Sequence, residues 1–272
     1  MQLVELQNVL STLREHNFAL FAVSYDPVNS LADFAQRNGI DYPLLADEGS
    51  RVIRELGLLD EDLDTHHAEF GGQVRDEQRG VCYPGVLVLD EQGVVTQRRF
   101  QRNYRVRESG ASLLAQALNI DAPTVPSPAE TREDELVRIT AQLDSPTYWR
   151  YQRLRVMVDL NIAPGAHVFA APSPSEYTPL NVEVSANRAI IGGSELPEPW
   201  AFKIEGLADD LWVYEGNLHL SVPLEFVMDR GDAMGDQSII VRVHYQACSE
   251  TTCHPPSEAV FELVASARPD VA

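Results

Sequence analysis

A proline-rich break at residues 121–128 (DAPTVPSP) separates two stretches of different texture, and that division constrains the fold more than any other feature. Before it, the apolar pattern switches between helix-like and strand-like. Leu3, Leu6, Leu10 and Leu13 share one face of an opening amphipathic helix. Phe18 to Ser24 is a short apolar run, as expected of a strand covered on both faces. Leu31, Phe34 and Ala35 predict a helix ending near Gly39, Tyr42 to Ala46 a short strand, and Val52, Ile53 and Leu56 a helix stopped by Gly57. Residues 60–80 read as a polar loop, Gly85 to Leu89 and Val94 to Phe100 as a hairpin, and Leu113 to Leu118 as a last helix. Strands separated by helices imply an α/β layer architecture.

After the break, helix periodicity disappears. Leu136 to Leu143, Leu154 to Ile162, Leu180 to Val184, Trp200 to Ile204, Leu218 to Phe226, Ile239 to Tyr245 and Val260 to Val264 read as strands. Pro164-Gly165, Gly192-Gly193 and Gly231-Asp232 supply turns between many of them. That pattern implies an antiparallel β-sandwich whose core Trp200 and Trp212 are expected to fill. The expected fold class is therefore α/β plus all-β, with an α/β domain over 1–120, a linker over 121–135 and a sandwich over 136–268.

The formal net charge is −20, from 41 acidic and 21 basic residues, and Lys203 is the only lysine. Such a field repels phosphate backbones and anionic lipid, so neither nucleic acid nor a membrane surface is an expected partner. No apolar run approaches the ~20 residues of a membrane helix. Met1 to Glu5 shows no basic region leading into an apolar stretch, so no export signal is read there.

Three cysteines are too few to staple a chain of this length, which draws attention to the two that lie close together. In Tyr245-Gln246-Ala247-Cys248-Ser249-Glu250-Thr251-Thr252-Cys253-His254-Pro255-Pro256, an alternating strand runs into a short polar loop bracketed by cysteines. A prolyl pair then stiffens the return. A turn of that size can bring two Cα atoms within the ~4.4–6.8 Å of a disulfide. Closing so small a loop removes little unfolded-state entropy, so stability is a poor reason for the bond and reversible exchange a better one. An inert disulfide remains open, as does a metal site drawing on Cys248, Cys253, His244 or His254, although a zinc site wants four ligands in known spacings. No cofactor is called for.

Those residues resemble the N-terminal, immunoglobulin-like domain of the thiol:disulfide interchange protein DsbD. Tyr245, Gln246, Cys248, Cys253, Pro255 and Pro256 fit its motif position by position, while His254 stands where an aromatic is common. Pro164 to Phe169 followed by Tyr177-Thr178-Pro179 resembles a stretch of related sandwiches fused to redoxins, and Trp212 and Tyr214 lie in the region of the family's aromatic cap. The resemblance implies that Cys248 and Cys253 exchange electrons, flanked by Tyr245, His254 and Pro255, and that the protein works in the periplasm or cell envelope. Which cysteine attacks first stays open: His254 favours Cys253, and the strand-end position favours Cys248.

The first stretch resembles the peroxiredoxin-like redoxin (AhpC/TSA, thioredoxin-fold) family. The resemblance rests on Leu3-Val4-Glu5-Leu6-Gln7, Val23-Ser24-Tyr25-Asp26-Pro27, Tyr42 to Asp47 and Tyr83 to Asp90. It implies that Pro84 is the cis-proline facing a redox centre, with Cys82 beside it as a resolving or regulatory thiol, or simply a small buried apolar residue. In this family the C-x-x-C motif directly precedes the Leu3–Gln7 helix, so the chain as read starts past it and is not expected to be a competent peroxidase. Some relatives carry selenocysteine there, and its UGA codon read as a stop would produce such a start; a reading frame fragmentary for another reason is the alternative.

The remaining candidates read as structural. His66 and His67 are expected to be exposed and idle. His167 and His219 are expected to be packing or edge residues. Arg98, Arg99, Arg102, Arg105 and Arg107 are expected to offset the acidic surface. The implied function is thiol–disulfide exchange through Cys248 and Cys253, coupled to the redoxin domain. Its implied partner is a thioredoxin-like protein or a disulfide or peroxide substrate. A peroxide-reducing antioxidant and a non-catalytic interaction module are the alternatives.

Overall fold

In the computed structural model, residues 2–68, 73–101, 107–120, 127–150, 152–202, 211–228 and 232–268 are described. The chain forms two compact units, built mainly from the stretches before and after Pro123. The expected linker residues 121–126 lie outside the described residues, as do Arg102, Arg105, Lys203 and Gly231.

The first unit runs α1 (Gln2–Asn8), α2 (Leu10–Glu15), β1 (Ala22–Ser24), α3 (Val28–Asn38), β2 (Leu44–Ala46), α4 (Arg51–Glu55), α5 (Leu63–Ala68), β3 (Gly85–Leu89), β4 (Val95–Phe100), β5 (Arg107–Glu108) and α6 (Gly110–Leu118). The helix stops follow from backbone chemistry: α3 ends on Gly39 and α4 just before Gly57, both in the left-handed region that glycine enters without a Cβ penalty. Ser109 caps α6 by accepting the Ser112 N–H (3.0 Å). Leu6, Leu10, Leu13, Leu113 and Leu114 form the centre of the core.

Two expectations fail in this unit. The Phe18–Ser24 run yields only the three residues of β1, paired in parallel with β2, and it is not covered on both faces. Leu20 and Ala22 pack inward, whereas Phe21 and Val23 are exposed. The 60–80 stretch is not all loop, because it holds α5 and a 3-10 turn at Asp76–Gln78.

The second unit contains β6 (Glu130–Glu133), β7 (Val137–Leu143), β8 (Thr147–Tyr148), β9 (Gln152–Ile162), β10 (His167–Phe169), β11 (Asn181–Ala186), β12 (Ala189–Ile191), β13 (Trp200–Phe202), β14 (Leu211–Tyr214), β15 (Asn217–Phe226), β16 (Gln237–Tyr245), β17 (Ala247–Cys248) and β18 (Ser257–Ala267). Strands in the order β11-β16-β18-β8 form one sheet, and β12-β15-β9-β7-β6 the main path of another. Their alternating inward residues, among them Ile139, Val156, Leu224, Val241 and Phe261, share one core, as an immunoglobulin-like sandwich requires. β16 and β18 pair from Gln237↔Ala265 to Tyr245↔Ser257, which fixes the ends that frame the cysteine loop.

Here too the structure corrects the sequence reading. β6 lies inside the stretch expected to be linker, paired antiparallel with β7, so the sandwich begins before residue 136. Trp200 does not fill the core. It sits on edge strand β13 and is 63% exposed, while Trp212 packs against the core only in part.

Candidate functional site

A third, small sheet, ordered β13-β14-β10-β17, carries Cys248 at the end of β17, and Cys253 opposes it as an isolated bridge. Its two faces differ. Val168, Tyr214 and Ala247 point into the sandwich core. The other face holds its own apolar cluster of Phe169, Leu211, Val213 and Cys248, with Tyr177 and Phe202 packed on it. The registers His167↔Cys248, Phe169↔Val213 and Phe202↔Leu211 put these side chains on one face, because directly opposed residues in antiparallel strands point the same way.

Cys248 and Cys253 are joined by a disulfide with Cα atoms 4.0 Å apart. That separation is shorter than expected from sequence because the two residues oppose each other as an antiparallel bridge. The loop closes on itself. The Ser249 N–H donates to the Thr252 carbonyl (2.8 Å), and the Ser249 hydroxyl oxygen accepts from the Thr252 N–H (3.1 Å). Below it the His254 N–H donates to the Ala247 carbonyl (3.0 Å). The disulfide is one-sided: Cys248 is 1% exposed, whereas Cys253 lies at the surface.

The flanking residues brace this bond. Gln246 donates through Nε2 to the His254 carbonyl (3.0 Å) and accepts the Thr178 N–H at Oε1 (2.9 Å). It thereby ties Tyr177-Thr178-Pro179 to the cysteine loop. Tyr177 stacks on Phe169 with centroids 4.4 Å apart. The Tyr245 hydroxyl donates to Asp134 Oδ2 (2.6 Å), and burial together with that carboxylate pushes its pKa up. Burial pushes the Asp134 carboxyl up, but the Tyr245 hydroxyl and the Val137 and Leu136 amides outweigh it and hold the group below its ordinary value. His254 is half-buried and Pro255 exposed.

A depressed carboxylate stabilises the fold above its unfolded pKa, and this contribution disappears as the pH falls through the folded value. Asp134→Asn is therefore expected to lower the urea midpoint at pH 7 and to match wild type near pH 2. The comparison is made by denaturation at both pH values.

In the first unit, Cys82 is a half-buried free thiol whose pKa burial raises, so it is held protonated. It bridges Leu59, and the adjoining Tyr83 N–H donates to the Leu58 carbonyl (2.8 Å). Pro84 is not a cis-proline, since the Tyr83–Pro84 bond is trans. The Pro84 carbonyl already accepts from Gln101 N–H (2.8 Å), so the chain runs extended into β3. His66 is not idle: it is partly buried and its Nδ1 bonds Asp60 Oδ2 (3.0 Å). His219 is exposed on β15, between β12 and β9 in its sheet, with its Nδ1 beside Asp159 Oδ1 (2.6 Å). Among the described residues no group of three or more His, Cys, Asp or Glu side chains is arranged to hold a metal.

Comparison with known proteins follows this division. Residues 133–265 match the family described as thiol:disulfide interchange protein DsbD, N-terminal, and residues 1–98 match the AhpC/TSA family. The chain is thus similar to two families over two separate segments. No curated protein matches it. Among solved structures, the N-terminal periplasmic domain of ScsB from Proteus mirabilis is 15% identical, with a TM-score of 0.36, and the match covers 51% of each chain. The reduced Neisseria meningitidis DsbD N-terminal domain is 18% identical with a TM-score of 0.29, covering 41% of this chain and 77% of that one. This chain thus spans about half the length of the ScsB domain. The DsbD-type sandwich supplies the cysteine loop and the AhpC/TSA segment supplies Cys82. The sequence missed Asp134, which fell inside the expected linker; His167, expected to be a packing or edge residue, is buried on β10 against Phe169 and Phe202. The alternation on either side of β10 could have shown that His167 and Phe169 share a face.

Proposed function

We propose that the sandwich is a thiol–disulfide exchange module in which Cys253 meets the partner and Cys248 is the internal sulfur. The observation that carries this reading is the one-sided burial of the disulfide. An incoming thiolate must approach a sulfur in line with the bond it breaks, and only the Cys253 end lies at the surface. Attack there forms a mixed disulfide with Cys253, and the electron pair of the broken bond leaves on Cys248. Electron transfer to a substrate disulfide runs the same steps in reverse. Both family matches support a thiol–disulfide oxidoreductase at this general level.

The partner we infer is a thioredoxin-like protein able to present a thiolate to an exposed loop. The site of action we infer is the cell envelope, where an oxidising environment lets a disulfide persist between turnovers. The partner is the inferred source or acceptor of electrons, and Cys82, a lone thiol that burial holds protonated, takes no step in this scheme.

The test is a redox titration of Cys248 and Cys253 in graded thiol buffers, with acid quench, alkylation and peptide mass spectrometry. The expected result is a reversible two-electron transition with a midpoint between about −120 and −270 mV. A pair that stays oxidised well below about −300 mV overturns the proposal and leaves a structural disulfide.

A further inference from the structure

His167 stands directly across from Cys248 in the β10–β17 register and on the same face of the small sheet. It is 7% exposed, and its Nε2 is buried with no hydrogen-bond partner. A polar atom in that position costs free energy unless something uses it. Packing explains the ring but not the nitrogen. The ring lies 4.6 Å from Phe202 and edge-on to Phe169 at 5.4 Å, both of which also pack with Cys248. An aromatic hydrocarbon would fill that space equally well.

Cys248 raises the complementary difficulty. A thiolate among Phe169, Leu211 and Val213 is poorly solvated, so the free Cys248 sulfur is held as a thiol, which does not attack disulfides. Resting on the exchange reading above, we propose that His167 is the proton acceptor that converts the Cys248 thiol into the attacking thiolate. In the reduced sandwich, Cys253 thiolate attacks a partner disulfide, forms a mixed disulfide and releases one partner thiolate. The Cys248 S–H proton then passes to His167. The Cys248 thiolate attacks Cys253 Sγ, the bond from Cys253 to the partner breaks, and the second partner thiolate leaves with that electron pair. Solvent takes the proton from His167. In the opposite direction the imidazolium returns the proton to Cys248 as it leaves.

Burial holds His167 below the ordinary histidine value, so it is neutral at pH 7 and able to accept. Among the described residues, the ionisable groups facing it are Cys248 on β17 and Glu215 just after β14, whose charge opposes that shift. On β10's entry turn, the Glu250 carboxylate lies against Gly165. β13 contributes Phe202 and no charge.

The reduced full chain carrying Cys82→Ala, so that Cys248 and Cys253 are its only thiols, is mixed with 5,5′-dithiobis(2-nitrobenzoic acid) and is expected to release its chromophore in two phases. The first is attack by Cys253. The second is intramolecular attack by Cys248, and Cys248→Ala removes it. His167→Gln and His167→Phe are expected to leave the first phase unchanged and slow the second by about 100-fold or more at pH 7. In wild type the second phase should fall as pH drops through the His167 value, and in both variants that inflection should vanish. A second phase with unchanged rate and pH profile in His167→Gln overturns the assignment. A wild-type protein with no rapid first phase overturns the exchange reading itself, which separates the two failures. His167→Gln keeps a neutral polar side chain, so the test holds even if His167→Phe repacks the cluster.

Discussion

Cys248→Ser is expected to trap a disulfide partner on Cys253 as a stable mixed disulfide, whereas Cys253→Ser is expected to trap nothing. The asymmetry follows from burial. In the first variant the surface sulfur can still attack or be attacked, and no second thiol remains to resolve the product. In the second, the surviving sulfur is enclosed by Phe169, Leu211 and Val213 and cannot be reached in line. The measurement is peptide-level mass spectrometry of the Cys248–Cys253 segment after exposure to a small aromatic disulfide, because Cys82 remains a free thiol in both variants. Equal trapping by both variants would refute the one-sided reading. Neither variant should unfold the sandwich. With the two cysteines five positions apart, the chain-entropy model gives about 2 kcal/mol for the closed loop.

Phe261→Ala is the substitution expected to cost the most stability. Phe261 is 0% exposed, pairs with Val241 across the β16–β18 ladder, and fills the space between the two sandwich sheets. Its truncation removes the ring's transfer free energy and leaves a cavity that rigid strands cannot collapse into, at about 3–5 kcal/mol. That is a large share of the roughly 5–15 kcal/mol that holds an ordinary domain together. Val264 lies on the same strand but on the outer face, 48% exposed, so Val264→Ala should change the unfolding free energy measured in urea by no more than about 0.5 kcal/mol. A comparable loss for both would mean that the β18 alternation does not separate core from solvent.

The parts of this fold legible in the sequence are those whose burial alternates. β7, β16 and β18 bury every second residue, so their positions follow from period-2 apolarity alone. β6 escaped because Glu-Thr-Arg-Glu is an edge strand with almost no buried side, and an edge strand has no apolar face to announce it. Trp200 misled for the same reason, since an aromatic on an edge strand reads as core until its neighbours are known. α5 carries Asp, Thr and two histidines and buries only Leu63, which leaves no helical stripe to detect. The cysteine pair was legible from its loop and its prolines. The Tyr245–Asp134 hydrogen bond and the His167–Cys248 register were not, because each joins residues far apart in sequence, and spacing says nothing about which strands become neighbours.

The cysteine loop's bonding has one more consequence. Ser249 and Thr252 bond to each other and the loop is clamped below by the His254–Ala247 bond, while Glu250 and Thr251 lie in none of the strands that hold the sandwich. Its middle residues, Glu250 and Thr251, can therefore vary in charge and bulk without disturbing strand register. Substitutions there can change the surface of the loop one residue at a time while the strands that hold Cys248 stay fixed, so the exposed tip and the buried sulfur occupy adjacent but separately editable lengths of chain.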